Sequence, residues 1–482
     1  MAESNPSGAT TPGGKAADVL VVGGGLAGLT AALELQRQGR RVHVVDAGSA
    51  LGGKAGSVDT KAGSFPIGPT SFNGRNPVFW KVFDLLGISQ NAKQLEPVSA
   101  SRYIVRDGTL QGLRPSPFSV LGTGALSFAD KWSLAREFIS PSPARGDGED
   151  ESLESLLVRR FGAKTVEHFF AAVMTGIFAG DLKQLSAQAC MPALVNAEKE
   201  YGSVLKGALQ AMKKKEEGAR PGLFAFPEGF GLVGKSAAQK LSHSLETTLE
   251  SLSIDAHGVV AMGTRHGAPV EFRAAQLVIA TEADVAAKIL RRALPDAAAV
   301  LSGFSYAPVT LLQWAEKNAG DSRLPKGFGY LSAPVERLFA MGTLFVSDLF
   351  AESPRRFSTF VGGALAPEKA ALSDEALVEG FSADLKKLTG GVIGEVVQVV
   401  RWPRAVFQPA VGHAKQIAKL KSVLTPNVAL AGSYFGGAAM KDAIASGFDA
   451  ASALSPTVSS PTSSPQGALT PAGERENARV RA

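Results

Sequence analysis

Asp18-Val-Leu-Val-Val-Gly-Gly-Gly-Leu-Ala-Gly-Leu-Thr30, followed by Val42-His-Val-Val-Asp46, is the stretch on which the fold turns. A short apolar run ends in Gly23-x-Gly25-x-x-Gly28, an amphipathic segment over 26–38 follows, and a second apolar run closes on Asp46. This is strand, glycine turn, helix, strand and acid, the order of a βαβ unit built around a dinucleotide. Gly23 permits the tight turn, Gly25 lets backbone approach the pyrophosphate, and Gly28 lets helix and strand pack closely. The N–H groups of Leu26 and Ala27 open the helix, where free donors and the positive dipole end favour phosphate. Asp46 and the adjoining Ala47 stand where a carboxylate would accept bonds from the adenosine ribose.

Just beyond lies Leu51-Gly-Gly-Lys-Ala-Gly-Ser57. A nicotinamide site has no need of this second glycine pair and base. The segment resembles the G-G-[RK]-x-x-S/T signature of flavoproteins of the amine oxidase, phytoene desaturase and protoporphyrinogen oxidase type. The resemblance implies FAD as the dinucleotide, with Gly52, Gly53, Lys54 and Ala55 on the flavin side.

Composition narrows the rest. With 482 residues, 45% hydrophobic and 20% charged, the chain is globular and long enough for two or three subdomains. A net charge of +6 is mild, and the one dense basic run, Lys213 to Lys215, meets Glu216 and Glu217 at once. A nucleic-acid partner is therefore not expected, whereas an anionic substrate or anionic lipid suits the surface. The single cysteine, Cys190, excludes an internal disulfide and fits a reducing compartment. The six histidines lack metal-ligand spacing, so no metal is expected. The first 17 residues carry no apolar core of a signal peptide, and no window is apolar enough to span a bilayer. The reading is cytoplasmic, with room for peripheral contact at the membrane.

Along the chain, a helix is predicted over 77–86 and short strands over 103–105 and 109–113. A helix-rich block follows, over 128–139, 152–161, 163–175 and 203–215. A helix over 231–246 precedes strands at 249–254, 259–262 and 277–280. A β-rich stretch takes 309–314, 327–331, 341–345 and 357–362, then a helix over 373–388 and a strand over 397–401. The end is another strand, turn and helix, 428–433 into 438–453. The fold class expected is α/β: a discontinuous Rossmann-type cofactor domain (18–74, 219–295 and 402–455) with two insertions. These are a helix-rich subdomain, 75–218, and a β-rich substrate domain, 296–401. The tails, 1–17 and 456–482, read as disordered.

Several further patches resemble the oxygen-dependent, FAD-containing protoporphyrinogen oxidase family, from about Val19 to Ala453. They are Gly176-Ile-Phe-Ala-Gly-Asp181 with Leu185-Ser186, Asn196 to Ser203, and Gly327-Phe-Gly-Tyr-Leu331. Arg401-Trp-Pro-Arg404 with Gln408 and Val411-Gly-His413 follows, then Ala431-Gly-Ser-Tyr434, Ala438 to Met440 and Asp442 with Ser446-Gly447. The resemblance implies further cofactor contacts at Gly68, Pro69, Thr70, Leu249, Trp402, Gly432, Ser433, Ala438, Ala439 and Met440. It implies a porphyrinogen substrate near Arg75, Gly176, Ala179, Phe328, Gly329, Leu331, Leu344 and Phe360. Arg75 would pair with a ring propionate, and molecular oxygen would be the acceptor. A peripheral, membrane-facing helical block and a homodimer are the other implied properties. No side chain is expected to act as a catalytic acid or base, because the cofactor carries the chemistry. Departures from the pattern are Asp46 for the usual Glu, Lys54 for the frequent Arg, one glycine missing in Pro227-Glu-Gly-Phe230, and Ala280-Thr-Glu282 without its proline. On the residues alone, a coproporphyrinogen oxidase, an amine oxidase, a carotenoid-type desaturase and a non-catalytic flavin or porphyrin carrier stay open.

Overall fold

The structure, a computed structural model, describes residues 17–114, 122–139, 149–213, 217–255 and 257–454. The two tails read as disordered fall almost wholly outside these residues.

Two seven-stranded sheets organise the chain. The first grows from Ala17–Val22, whose Val19, Leu20 and Val21 are buried on both faces, as parallel strands under helices require. Val42–Val45 pairs with it in parallel on one side and Ala268–Ile279 on the other, and Ser242–Ser244 extends the edge. Ala268–Ile279 changes partner along its length. Its first half is antiparallel to Gly258–Arg265, which in turn pairs with Thr247–Asp255; its last residues are parallel to Val428–Leu430. Strands separated by several hundred residues thus share one sheet, the discontinuous α/β architecture expected. Helix Leu26–Arg37 lies against the C-terminal helix Met440–Ala453, and Gly447 makes the approach: a β-carbon there would sit 2.4 Å from the Ala27 carbonyl oxygen.

The second sheet runs Glu395–Gln408, Ser305–Ala315, Arg356–Gly362, Gly342–Phe345, Gly329–Leu331, Arg102–Arg106 and Thr109–Leu113. All pairs are antiparallel except Gly329–Leu331 with Arg102–Arg106. Several elements depart from the sequence reading here. The strands near 103 and 109, assigned to the helix-rich segment, complete this sheet. The strand expected over 397–401 continues to Gln408, so the sheet runs through the boundary drawn at 401 and Trp402 lies within it. Helix Pro77–Leu86, also assigned to the helix-rich segment, buries Phe79, Phe83 and Leu86 in the core that holds Leu26 and Phe230. The helix expected over 231–246 stops at Lys240 and gives way to the strand Ser242–Ser244. That over 163–175 is interrupted by a π-helical turn, Val166–Phe170, before Ala171–Phe178.

The edge strand Ser242–Ser244 is held by His43, whose ring nitrogens lie 2.8 Å from Ser242 Oγ and 2.9 Å from Ser244 Oγ. Burial, helped by the charges of His243 and Arg265, pushes the imidazole down to about 4. It is neutral in the folded protein and titrates near its ordinary 6.5 when unfolded. The unfolded state therefore binds more protons between these values, and the stability contributed above pH 6.5 is lost as pH falls towards about 4. Denaturant midpoints across that window should fall with acid, and His43→Asn should flatten part of the slope.

Candidate functional site

The glycine turn sits at the carboxyl ends of Ala17–Val22 and Ala268–Ile279. Gly23 has φ +106°, and a β-carbon on it would lie 2.6 Å from the Ala280 carbonyl oxygen. A β-carbon on Gly28 would lie 1.9 Å from the Gly23 oxygen, so helix and turn close on each other only because both are glycines. Gly25 differs: nothing lies within 4 Å of where its β-carbon would be. It begins helix Leu26–Arg37 with no side-chain cap. The helix therefore offers backbone N–H groups to open space, which fits a pyrophosphate.

Of the other residues expected at the cofactor, Gly52 and Gly53 lie against this turn. Gly52 donates from its N–H to the Gly24 carbonyl at 2.8 Å, and a β-carbon on Gly53 would be 3.2 Å from Gly25 Cα. A β-carbon on Gly68 would meet the Lys54 carbonyl oxygen at 2.2 Å, which brings Pro69 and Thr70 to the same side. Trp402 donates from Nε1 to the Ile67 carbonyl at 2.7 Å and ties the second sheet to that loop. Asp46 caps the turn, accepting from Gly24 N–H at 2.6 Å and from Gly48 N–H at 2.7 Å. Each carboxylate oxygen keeps a lone pair for a hydroxyl. Ala47 is exposed beside it, and the Asp46 carbonyl accepts from Thr247 N–H at 3.0 Å, the start of the strand that carries buried Leu249. Ala55, Leu26 and Ala27 are buried beneath the turn. In the C-terminal segment, Gly432 N–H donates to Ser446 Oγ at 2.9 Å, Ser433 opens a short turn, and Ala439 N–H donates to Asp442 Oδ2 at 3.1 Å. Ala438 packs against the helical cluster around Leu185 and Phe178, and Met440 against the core around Leu26.

Of the residues expected at the substrate, Gly329, Leu331, Leu344 and Phe360 lie on one face of the second sheet, as strand alternation makes visible. Cross-strand pairs Leu311 with Phe360, Phe360 with Gly342, and Gly342 with Leu331 form one row. Ser358 with Leu344, Leu344 with Gly329, and Gly329 with Arg102 form the next. Phe328 and Leu344 pack with Phe65, while Phe360 bridges to Ala179 and Trp402. Gly176 abuts Leu331, where a β-carbon would lie 2.5 Å from Leu331 Cδ2. Ala179 ends its helix at φ +48°, and its carbonyl accepts from Ala364 N–H at 2.7 Å.

Arg75 is not on this sheet. It is exposed ahead of helix Pro77–Leu86, with its N–H bonded to Asn73 Oδ1 at 3.1 Å. The cation at the end of the row is Arg102, missed in the sequence. Its guanidinium lies 4.9 Å from the Phe328 ring centroid and donates to the Ala100 carbonyl at 3.3 Å. Burial depresses its pKa, yet an arginine stays charged at neutral pH. Alternation from Ile104 could have placed Arg102 on a face; only the pairing with Gly329 says which one.

His413, from the Val411-Gly-His413 patch, is structural in its surroundings. His413 is buried against Phe304 and Phe407 with Nε2 2.7 Å from the Tyr434 carbonyl oxygen, and burial depresses its pKa. Among the described residues there is no cluster fit to hold a metal.

Residues 26–455 match the family of flavin-containing amine oxidoreductases. The chain belongs to that family. As a flavin-containing amine oxidoreductase it is an FAD-dependent oxidase, and the open front of Gly25 is a fitting place for the cofactor's pyrophosphate. It is 26% identical to a chloroplastic protoporphyrinogen oxidase of Nicotiana tabacum, over 91% of this chain and 86% of that one. Identity is also 26% to a coproporphyrinogen III oxidase of Propionibacterium freudenreichii subsp. freudenreichii, over 91% of each chain. A crystal structure from Exiguobacterium sp. 255-15, provisionally named a protoporphyrinogen oxidase, superposes with a TM-score of 0.74 at 20% identity, covering 90% of this chain and 98% of that one. That likeness shows the fold.

Proposed function

We propose that the protein oxidises protoporphyrinogen to protoporphyrin in haem biosynthesis, with molecular oxygen as final acceptor. The observation that carries this reading is the face of the second sheet. Leu331, Leu344 and Phe360 form an apolar wall, Gly329 and Gly342 keep it shallow, and half-buried Arg102, without a carboxylate partner among the described residues, stands at its end, whereas Arg356 on the same face is paired with Glu352. A largely apolar macrocycle with carboxylates on its rim matches that pattern. Relatives named for porphyrinogen oxidation support it.

The reaction removes six hydrogens, from meso carbons and ring nitrogens. Bound FAD would supply a two-electron acceptor, and three two-electron oxidations, with three molecules of oxygen reduced to peroxide, balance the six hydrogens. The chain's own residues orient and exclude. Arg102 would hold a propionate, the apolar wall would fix the plane of the macrocycle, and Trp402, bonded to the Ile67 carbonyl, would keep wall and cofactor loop in register. Of the six hydrogens, three leave as hydride equivalents from meso carbons, two as ring N–H protons and the last as a proton from the fourth meso carbon by tautomerisation, with all three protons passing to solvent. A wall whose unpaired cation is Arg102, Arg356 being committed to Glu352, favours a substrate with few carboxylates, because extra ones lose their solvation unpaired. Aerobic kinetics on protoporphyrinogen and coproporphyrinogen, followed by porphyrin fluorescence, tests this. Preference for the four-carboxylate substrate overturns the substrate assignment, and inactivity on both overturns the function.

A membrane contact is part of the same proposal. Among the described residues no helix is long and apolar enough to cross a membrane. Helix Phe128–Ile139 nevertheless leaves Phe128 85%, Trp132 64% and Ile139 73% exposed, at spacings that share one side, with Lys131 and Arg136 beside them. The protein should float with anionic liposomes at low salt, and Trp132→Glu should reduce the floated fraction several-fold. Absence of flotation at any ionic strength removes the membrane contact and leaves the oxidase reading intact.

A further inference from the structure

Within Ala280-Thr-Glu282, the segment that lacks the proline the resemblance leads one to expect, Glu282 places a carboxylate beside the glycine turn. Its loop leaves Ala268–Ile279 beside Gly23, with Ala280 N–H donating to the Val22 carbonyl at 2.7 Å. Glu282 Oε1 lies 3.0 Å from Lys54 Nζ, with both side chains about two-thirds buried (32% and 35% exposed for Lys54 and Glu282). Lys54 also lies 5.6 Å from the centroid of the Tyr306 ring. The Tyr306 hydroxyl accepts from Ala283 N–H at 2.9 Å, so the first turn after Glu282 is fixed to the second sheet. A second ion pair, Arg404 to Asp284 at 2.7 Å, pins the same turn from the neighbouring strand. Burial alone raises the Glu282 carboxyl, but Lys54, by charge and hydrogen bond, brings it below its ordinary value.

We propose that Glu282 is a positioning residue that neutralises Lys54, so that the cofactor cleft presents an ion pair where a free cation would otherwise attract the anionic dinucleotide. This rests on reading the cleft as the FAD site. A lysine committed to a carboxylate at hydrogen-bond distance adds little to that attraction, because the ligand must compete with a partner already in place. Removing the carboxylate charge frees the ammonium for an anion, and the new attraction is screened by salt.

The test titrates FAD into the apoprotein of wild type, Glu282→Gln, Lys54→Met and the double variant, at low and high salt, with melting temperatures of the apo and loaded forms. Glu282→Gln should bind FAD about fivefold tighter or better, lose affinity more steeply with salt, and gain more melting temperature from FAD than wild type does. The double variant should show neither the gain nor the steeper slope, which a merely structural effect of residue 282 would not arrange. A folded Glu282→Gln protein with unchanged or weaker FAD affinity overturns the proposal. So does a gain that survives in the double variant. A folded wild-type apoprotein that takes up no FAD instead overturns the cofactor reading, and the two failures are told apart by that lane alone.

Discussion

Gly25→Asp is expected to give a folded, colourless protein that binds FAD at least about a hundredfold more weakly than wild type. The expectation comes from the contrast among the three glycines. A side chain at Gly25 would enter open space, with nothing of the protein within 4 Å, so the fold has no reason to resist it. The space is the one onto which the uncapped N-terminus of helix Leu26–Arg37 opens, and a carboxylate there would occupy and repel what a phosphate would take. Gly25→Ala should fold and retain much of its flavin. Gly28→Val should behave in the opposite way: a β-carbon 1.9 Å from the Gly23 oxygen cannot be accommodated, so yield and melting temperature should collapse before binding can be measured. Flavin absorbance after purification, FAD titration of the apoprotein and thermal melts separate these outcomes. A Gly25→Asp protein with full flavin occupancy would remove the turn from the cofactor site.

The same contrast shows what a sequence carries. The glycine turn was legible because its requirements are local: three glycines, two apolar runs and Asp46 lie within 30 residues, and each has a mechanical reason. Completion of the sheet by residues 428–430 was also legible, since a strand, turn and helix repeated at the far end of the chain has few other places to go. Long-range pairing was not. Nothing local to Arg102–Arg106 says that it lies parallel to Gly329–Leu331, more than 200 residues away, and that register alone puts Arg102 on the apolar face. Arg75 came only from the family resemblance, carried over residue by residue. In space it opens the turn before helix Pro77–Leu86, whose aromatic side chains pack towards the first sheet. The strand expected to end at 401 runs on to Gln408 through a bulge, where residues 403–405 stand opposite Pro308 of the neighbouring strand and Pro403 is outside the regular ladder. Glu282 was visible only within a segment that lacks its proline. Its partner Lys54 stands 228 positions earlier, and no periodicity connects the two.

Arg102→Ala should lower kcat/KM for protoporphyrinogen by roughly 10- to 100-fold, the worth of one charge-assisted contact of about 1.5–3 kcal/mol. The loss should fall mainly on KM. A propionate on the rim of the macrocycle is remote from the carbon that loses hydrogen, so the contact stabilises ground and transition states alike. Arg102→Lys should recover part of it, because a point charge replaces the planar fork and cannot lie over the Phe328 ring in the same way. Arg75→Ala, measured beside it, should change KM by less than about twofold if the row ending at Arg102 is the substrate face. Melting temperature controls for structure: Arg102 packs on Phe328 and bonds only to a backbone carbonyl among the described residues, so its removal leaves no buried carboxylate unpaired and should cost little stability. A stable Arg102→Ala enzyme with unchanged KM would take the arginine out of the site. A large KM effect at Arg75 with none at Arg102 would move the propionate to the cofactor-domain side and with it the orientation of the macrocycle on the sheet.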